Sequence, residues 1–444
     1  MPTAAQLATV RMLIATAPDA VLNSMAMALT GAEGELAPIL AQVEQERESR
    51  RLRDIVLAPV VPLFSKRRDG VPAASFPRPL LGALWRAVIE ADPEMVRQAA
   101  ADIIYWHPQE DEPPRSLDDL CRTAARLVRH DPKPPFQGPE AAELGIYLSL
   151  GPLARRALRR LPDWLGKATE ERAAILRLIF KDATAVCDDS APRMMEMLLG
   201  HLPEAYLILR PISVLTERAG DRYLADSELA HFGERLLREV EVRVDRLKHF
   251  DPSGGEAAAR AIAADVHYAS AILTEFEHSV DLSRDGPWGR RAGDARKATA
   301  TLIEARLRET QRRVEAALPL GAVRLTGRMT RPAPRISAAP DPRTVEPARG
   351  LLVLLSETRH AAATGGFGAL RAHVAEGLSE FLEIYADELV HLINAGEAPD
   401  AAIAHAYLEL AAEFLGWAEN TKAAQIVRRR AAVAGAGSPS QAVA

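Results

Sequence analysis

The stretch Ser227–Phe250 reads SELAHFGERLLREVEVRVDRLKHF, and its spacing decides the fold class. Leu229, Phe232, Leu236, Val240, Val244 and Leu247 recur every three or four positions, which places them on one face of a helix about six turns long. Asp251-Pro252-Ser253-Gly254-Gly255 ends that pattern. A second stripe follows, with Ile262, Val266, Ala269, Leu273, Phe276 and Val280. After a loop from Asp285 to Asp294 comes a third, through Leu302, Ile303, Leu307, Val314 and Leu318. Three long helices joined by short breaks predict an up-down-up bundle over residues 221–320.

On the N-terminal side, residues 1–220 read as an array of short helices delimited by prolines. Asp92-Pro93-Glu94 offers an N-cap, a proline at the first helical position and an acid in the first turn. Ser116-Leu117-Asp118-Asp119 and Thr169-Glu170-Glu171 carry similar start signals. On the C-terminal side, Pro319 to Arg349 holds six prolines, six arginines and two acids, with few periodic apolar residues. That composition predicts a flexible, basic linker over 321–349. A C-terminal helical unit is expected over 350–434, and a disordered tail over 435–444. No run alternates as a strand does, and no fixed-period repeat is visible. The fold class read from the sequence is therefore all-α: an array of short helices, a long-helix bundle and a C-terminal helical unit.

Bulk properties narrow the function classes. The 444 residues carry a net charge of −5, 48% are hydrophobic and 5% aromatic, so the core is built from aliphatic side chains. Cys121 and Cys187 are the two cysteines and form no metal-ligand spacing, which suits a reducing compartment. The N-terminus lacks the basic and apolar regions of a secretory signal. The longest apolar run, Ile55 to Phe64, is interrupted by Pro59 and Pro62 and falls short of the ~18 residues that span a bilayer. A cytoplasmic location is expected, and the abundance of Ala, Arg and Pro suggests a GC-rich bacterial genome.

Four histidines sit three residues after a glutamate: Glu228/His231, Glu275/His278, Glu357/His360 and Glu388/His391. The 11 histidines and the glutamate content predict about one such pair by chance. Glu-x-x-His places both groups on one helix face, the spacing used by di-iron bundles. Helical phase turns the first two pairs toward solvent, while Glu388 and His391 border a core stripe. Those two residues are the candidate metal ligands of a di-iron-like oxidoreductase.

Clustered arginines give a second candidate: Arg155-Arg156 with Arg159-Arg160, Lys66-Arg67-Arg68, Arg428-Arg429-Arg430, and Arg324, Arg328, Arg331 and Arg335 of the linker. Such groups neutralise phosphates, so the linker arginines are candidate contacts for nucleic acid or an anionic membrane surface. The negative net charge and the absence of a nucleic-acid-binding motif weigh against that reading. No phosphate loop, dinucleotide fingerprint or nucleophile elbow is present. No cofactor is implied. The reading favoured by the sequence is a non-catalytic intracellular scaffold or adaptor that binds protein partners, with self-association open.

Overall fold

A computed structural model describes residues 4–34, 36–108, 111–130, 132–166, 168–216, 219–324 and 330–434. The chain is all-α: it is 75% helical, with 19 helices and one two-stranded hairpin among the described residues. It divides into two compact units, the first comprising Met1–Ala219 with Ser227–Leu229, the second Gly220–Asp226 with Ala230–Ala444. Among the described residues, no helix is long and apolar enough to cross a membrane.

The first unit contains α1 (Ala4–Thr16), α2 (Asp19–Ala28), α3 (Ala37–Val56), α4 (Arg78–Ala91), α5 (Pro93–Asp102), α6 (Arg115–Arg129), α7 (Pro139–Leu165), α8 (Glu170–Ala183), α9 (Ser190–His201) and α10 (Leu209–Leu215). Asp92 caps α5 by accepting from Met95 N at 3.1 Å, with Pro93 at the first helical position. Thr169 caps α8 in the same way. Ser116 does not cap: α6 starts one residue earlier, and the Ser116 hydroxyl donates to Asp102 of α5. The start signal was read correctly as a helix beginning, but a cross-helix acceptor took the hydroxyl.

Helix α7 organises this unit, packing against α6, α8, α9 and α10. Its pairing with α6 depends on small residues. A Cβ at Gly151 would lie 2.5 Å from Cys121 Sγ, and one at Gly145 would lie 2.4 Å from the Arg129 side chain. These two glycines let α6 approach so closely that Leu117, Leu120, Cys121 and Ala124 are fully buried. Met194, Met195 and Met197 of α9 are also fully buried, so the methionine-rich stretch is core.

The second unit contains α11 (Asp221–Ala225), α12 (Ala230–Lys248), α13 (Gly255–Ser279), α14 (Pro287–Ala317), β1 (Leu320–Arg324), β2 (Thr330–Pro334), α15 (Pro342–Glu357), α16 (Arg359–Gly365), α17 (Gly368–Asn394), α18 (Ala401–Trp417) and α19 (Thr421–Val433). The strands pair antiparallel, Leu320 opposite Pro334 and Arg324 opposite Thr330. Leu351-Leu352-Val353-Leu354-Leu355 of α15 are each no more than 1% exposed. A helix that is apolar on every side must be enclosed by neighbours. Here α13, α14 and α18 supply them.

That enclosure departs from two expectations. Residues 221–320 do not close a core of their own, because Leu247, Val266, Ile303 and Leu307 share one continuous core with α15, α17 and α18. The sequence 321–349 is not a linker throughout. Its first part carries the hairpin, and residues from Pro342 onward form α15 with Val345 and Ala348 buried. Pro342 stands at the first helical position behind an Asp341 cap, where proline starts a helix. The tail 435–444 lies outside the described residues.

Candidate functional site

Helices α12 and α14 run in the same direction. Arg291, near the start of α14, bonds Glu234 and Glu241 of α12, and Arg306 further along donates to the Phe250 carbonyl just beyond the end of α12. The upper part of this contact is anchored by Trp288, 1% exposed, whose Nε1 donates to Glu234 at 2.8 Å. Gly233 makes room for it: a Cβ there would lie 2.5 Å from the indole. Phe276 of α13 meets the same ring edge-on at a centroid distance of 5.7 Å.

Beyond Arg291 the two helices leave a surface groove of about 690 Å³. Its floor is Val244 of α12 with Ala295, Ala298 and Leu302 of α14, all half-buried. Glu241, Asp245 and Lys248 border it on α12, and Asp294 and Lys297 on α14. The small side chains of Ala295 and Ala298 leave room above the floor between Val244 and Leu302. Volume and lining fall in the range of sites that take apolar groups of a ligand or a partner side chain.

The opposite side of α12 is fixed by charge. Arg243 donates to Asp265 of α13 at 2.6 Å, bonds Glu239 at 2.9 Å and stacks over the Tyr268 ring at 4.2 Å. Arg246 reaches the same Asp265 carboxylate. With Asp265 only 8% exposed, this network sets how α13 lies on α12 and leaves the Val244 edge free to face the groove.

The sequence-derived candidates fall elsewhere. Glu388 of α17 is half-buried, but His391 one turn on is exposed. Among the described residues, no group of three or more His, Cys, Asp or Glu side chains is placed to hold a metal ion. Glu275 corrects the phase argument: it is 4% exposed and accepts from Ser279 Oγ at 2.6 Å, while His278 is exposed. Neighbours on several sides of α13 bury an arc wider than its sequence stripe. Glu357 pairs with Arg260 rather than with a metal-ligand set.

Arg324 and Arg331 lie in β1 and β2, Arg335 follows β2 and is exposed, and Arg328 lies outside the described residues. Members of each of the other arginine clusters are engaged in ion pairs, while Lys66, Arg68, Arg428 and Arg429 are exposed. Arg155 is 7% exposed and bonds Asp118 and the carbonyls of Ile55 and Val56. Arg156, Arg159 and Arg160 face Asp182, Glu112 and Asp163. Arg67 pairs with Asp69, and Arg430 with Asp387. Arginines already matched to carboxylates have little charge left for a polyanion.

The α12–α14 groove was missed because it joins positions about fifty residues apart. Its one visible trace was Val244, an apolar residue near the end of a stripe whose other members are buried. No protein family, curated protein or solved structure matches this chain.

Proposed function

We propose that the protein is a non-catalytic helical scaffold or adaptor acting inside the cell, and that the α12–α14 groove receives an amphipathic helix from a protein partner. The observation that supports this reading is the open apolar floor of Val244, Ala295, Ala298 and Leu302 inside a charged rim. Helix-in-groove recognition uses such a surface, with apolar side chains of the guest at i, i+3 or i+4 and i+7. Asp245 on α12 favours a guest with Lys or Arg on that side, and Lys297 favours an acid on the other. Two free cysteines accord with a reducing interior.

The experiment is a comparison of partners captured by the native chain and by Leu302→Asp and Ala298→Asp. The proposal expects one protein to be lost in both groove variants and retained when exposed Arg335 is replaced by Glu. Retention of every partner in both groove variants contradicts it.

A further inference from the structure

The first unit holds a second cavity, of about 460 Å³, between the α1–α2 junction, α3 and α4. Four guanidiniums line it, from Arg50, Arg53, Arg78 and Arg86, against the carboxylates of Asp19 and Glu46. Asp54, just outside the wall, pairs with Arg53, so the excess is one positive charge. Its apolar wall is Trp85, Leu81 and Ile89 of α4.

The arginines divide into two kinds. Arg50 is part of the framework: it bonds Asp19 and Glu46, both at 2.7 Å, and donates to the carbonyls of Ile14 and Ala17 at the end of α1. Arg78 shares Asp19, at 3.1 Å. Burial alone would raise the Asp19 carboxyl, but the hydrogen bonds and charge of Arg50 hold it below the usual carboxylate range. Both wall carboxylates are thus matched, Glu46 by Arg50 and Asp19 by Arg50 and Arg78.

Arg86 makes up the excess, with Arg53 beside it in the wall. Arg53 is 8% exposed and bonds Asp54, which is not part of the cavity wall. Arg86 donates to its own helix at Gly82 O and pairs with no carboxylate among the described residues. Arg86 is exposed at the cavity mouth, where an anion would form charge-assisted hydrogen bonds with its guanidinium. Trp85 is held in place by its Nε1 donating to Ser49 Oγ at 2.9 Å, and its ring lines the cavity beside Leu81 and Ile89.

We propose that this cavity binds a small organic anion: a phosphate, sulfonate or carboxylate headgroup on an aromatic or branched apolar body. The headgroup is held by Arg86 and Arg53, and the apolar body lies against Trp85 and Ile89. Its volume is within the ~300–1,000 Å³ range of small-molecule sites. The α12–α14 groove plays no part in this site, so the two proposals stand or fall separately.

The test is calorimetric titration of the full chain with 1-naphthyl phosphate, neutral 1-naphthol and inorganic phosphate. Naphthyl phosphate is expected to bind at one site per chain, with a change in tryptophan fluorescence that Trp85→Phe removes. Naphthol and inorganic phosphate are each expected to bind at least about tenfold more weakly, since each lacks half of the recognised chemistry. Arg86→Gln, at an exposed position that folding tolerates, lowers naphthyl phosphate affinity by about tenfold. Equal affinity for naphthol, unchanged affinity in Arg86→Gln, or no saturable binding of naphthyl phosphate overturns the proposal.

Discussion

Asp221 lies at the head of α14, where its two carboxylate oxygens accept from the backbone nitrogens of Trp288 and Gly289, each at 3.0 Å. The carboxylate is 1% exposed, and it satisfies two of the donors that a helix start leaves free. Gly286 and Gly289 are glycines for the same reason. A Cβ at 286 would fall 1.8 Å from Asp221 Oδ2, and one at 289 would fall 2.0 Å from the Ser283 carbonyl. Asp221→Ala is expected to cost about 2–3 kcal/mol, because two buried N–H groups lose their acceptor. Urea unfolding followed by circular dichroism measures it; a loss under about 0.5 kcal/mol would mean that the cap is not holding α14.

Two glycine-to-alanine changes should move stability in opposite directions. Gly233→Ala places a methyl 2.5 Å from the Trp288 ring, and overpacking of this kind costs about 1–3 kcal/mol. Gly377 lies inside α17, is exposed, and has nothing within 4 Å of an added Cβ. Gly377→Ala therefore gains about 0.5–1 kcal/mol from helix propensity. Midpoints of thermal unfolding for the two variants should bracket that of the native chain.

Asp265 is the acceptor shared by Arg243 and Arg246. Removing one member of a buried ion pair leaves the other charge uncompensated, at a cost of about 3–5 kcal/mol. Asp265→Ala is expected near the lower end, since Glu239 still holds Arg243 at 2.9 Å. The double variant Asp265→Leu, Arg243→Met should recover much of the loss. A double-mutant cycle by chemical denaturation checks the coupling.

Burial pushes the Cys121 thiol up to about 11, from an ordinary 9.0. A folded-state pKa above the unfolded value means that stability is intact below pH 9.0 and declines as pH rises toward 11. Cys121→Ala should flatten that alkaline decline, although the lost side-chain volume costs stability at neutral pH. At pH 7.5 iodoacetamide should label half-buried Cys187 well before Cys121, as read by peptide mass spectrometry.

Sequence periodicity located elements better than it located neighbours. The Asp92 cap and the Thr169 start of α8 were legible because each depends on local chemistry. Pro342 looks like a linker proline until Asp341 is seen capping the helix it starts, and Pro347 lies inside that helix. The apolar run Leu351–Leu355 is buried on every side, by neighbours that its own spacing does not name. Glu275 failed for a related reason, since a stripe assigns one buried face and α13 has neighbours on more than one side. The groove was invisible in the same sense, because Val244 and Leu302 become neighbours only once Arg291 has tied α14 to α12.

The occupant of the groove floor is read by a photo-crosslinking residue at position 298, activated in cells of the native organism. One dominant cross-linked peptide from another protein is expected, with apolar residues at helical spacing and a basic flank, and it disappears when Leu302→Asp is added. Cross-links distributed over unrelated peptides, or one dominant peptide unaffected by Leu302→Asp, would contradict the groove proposal.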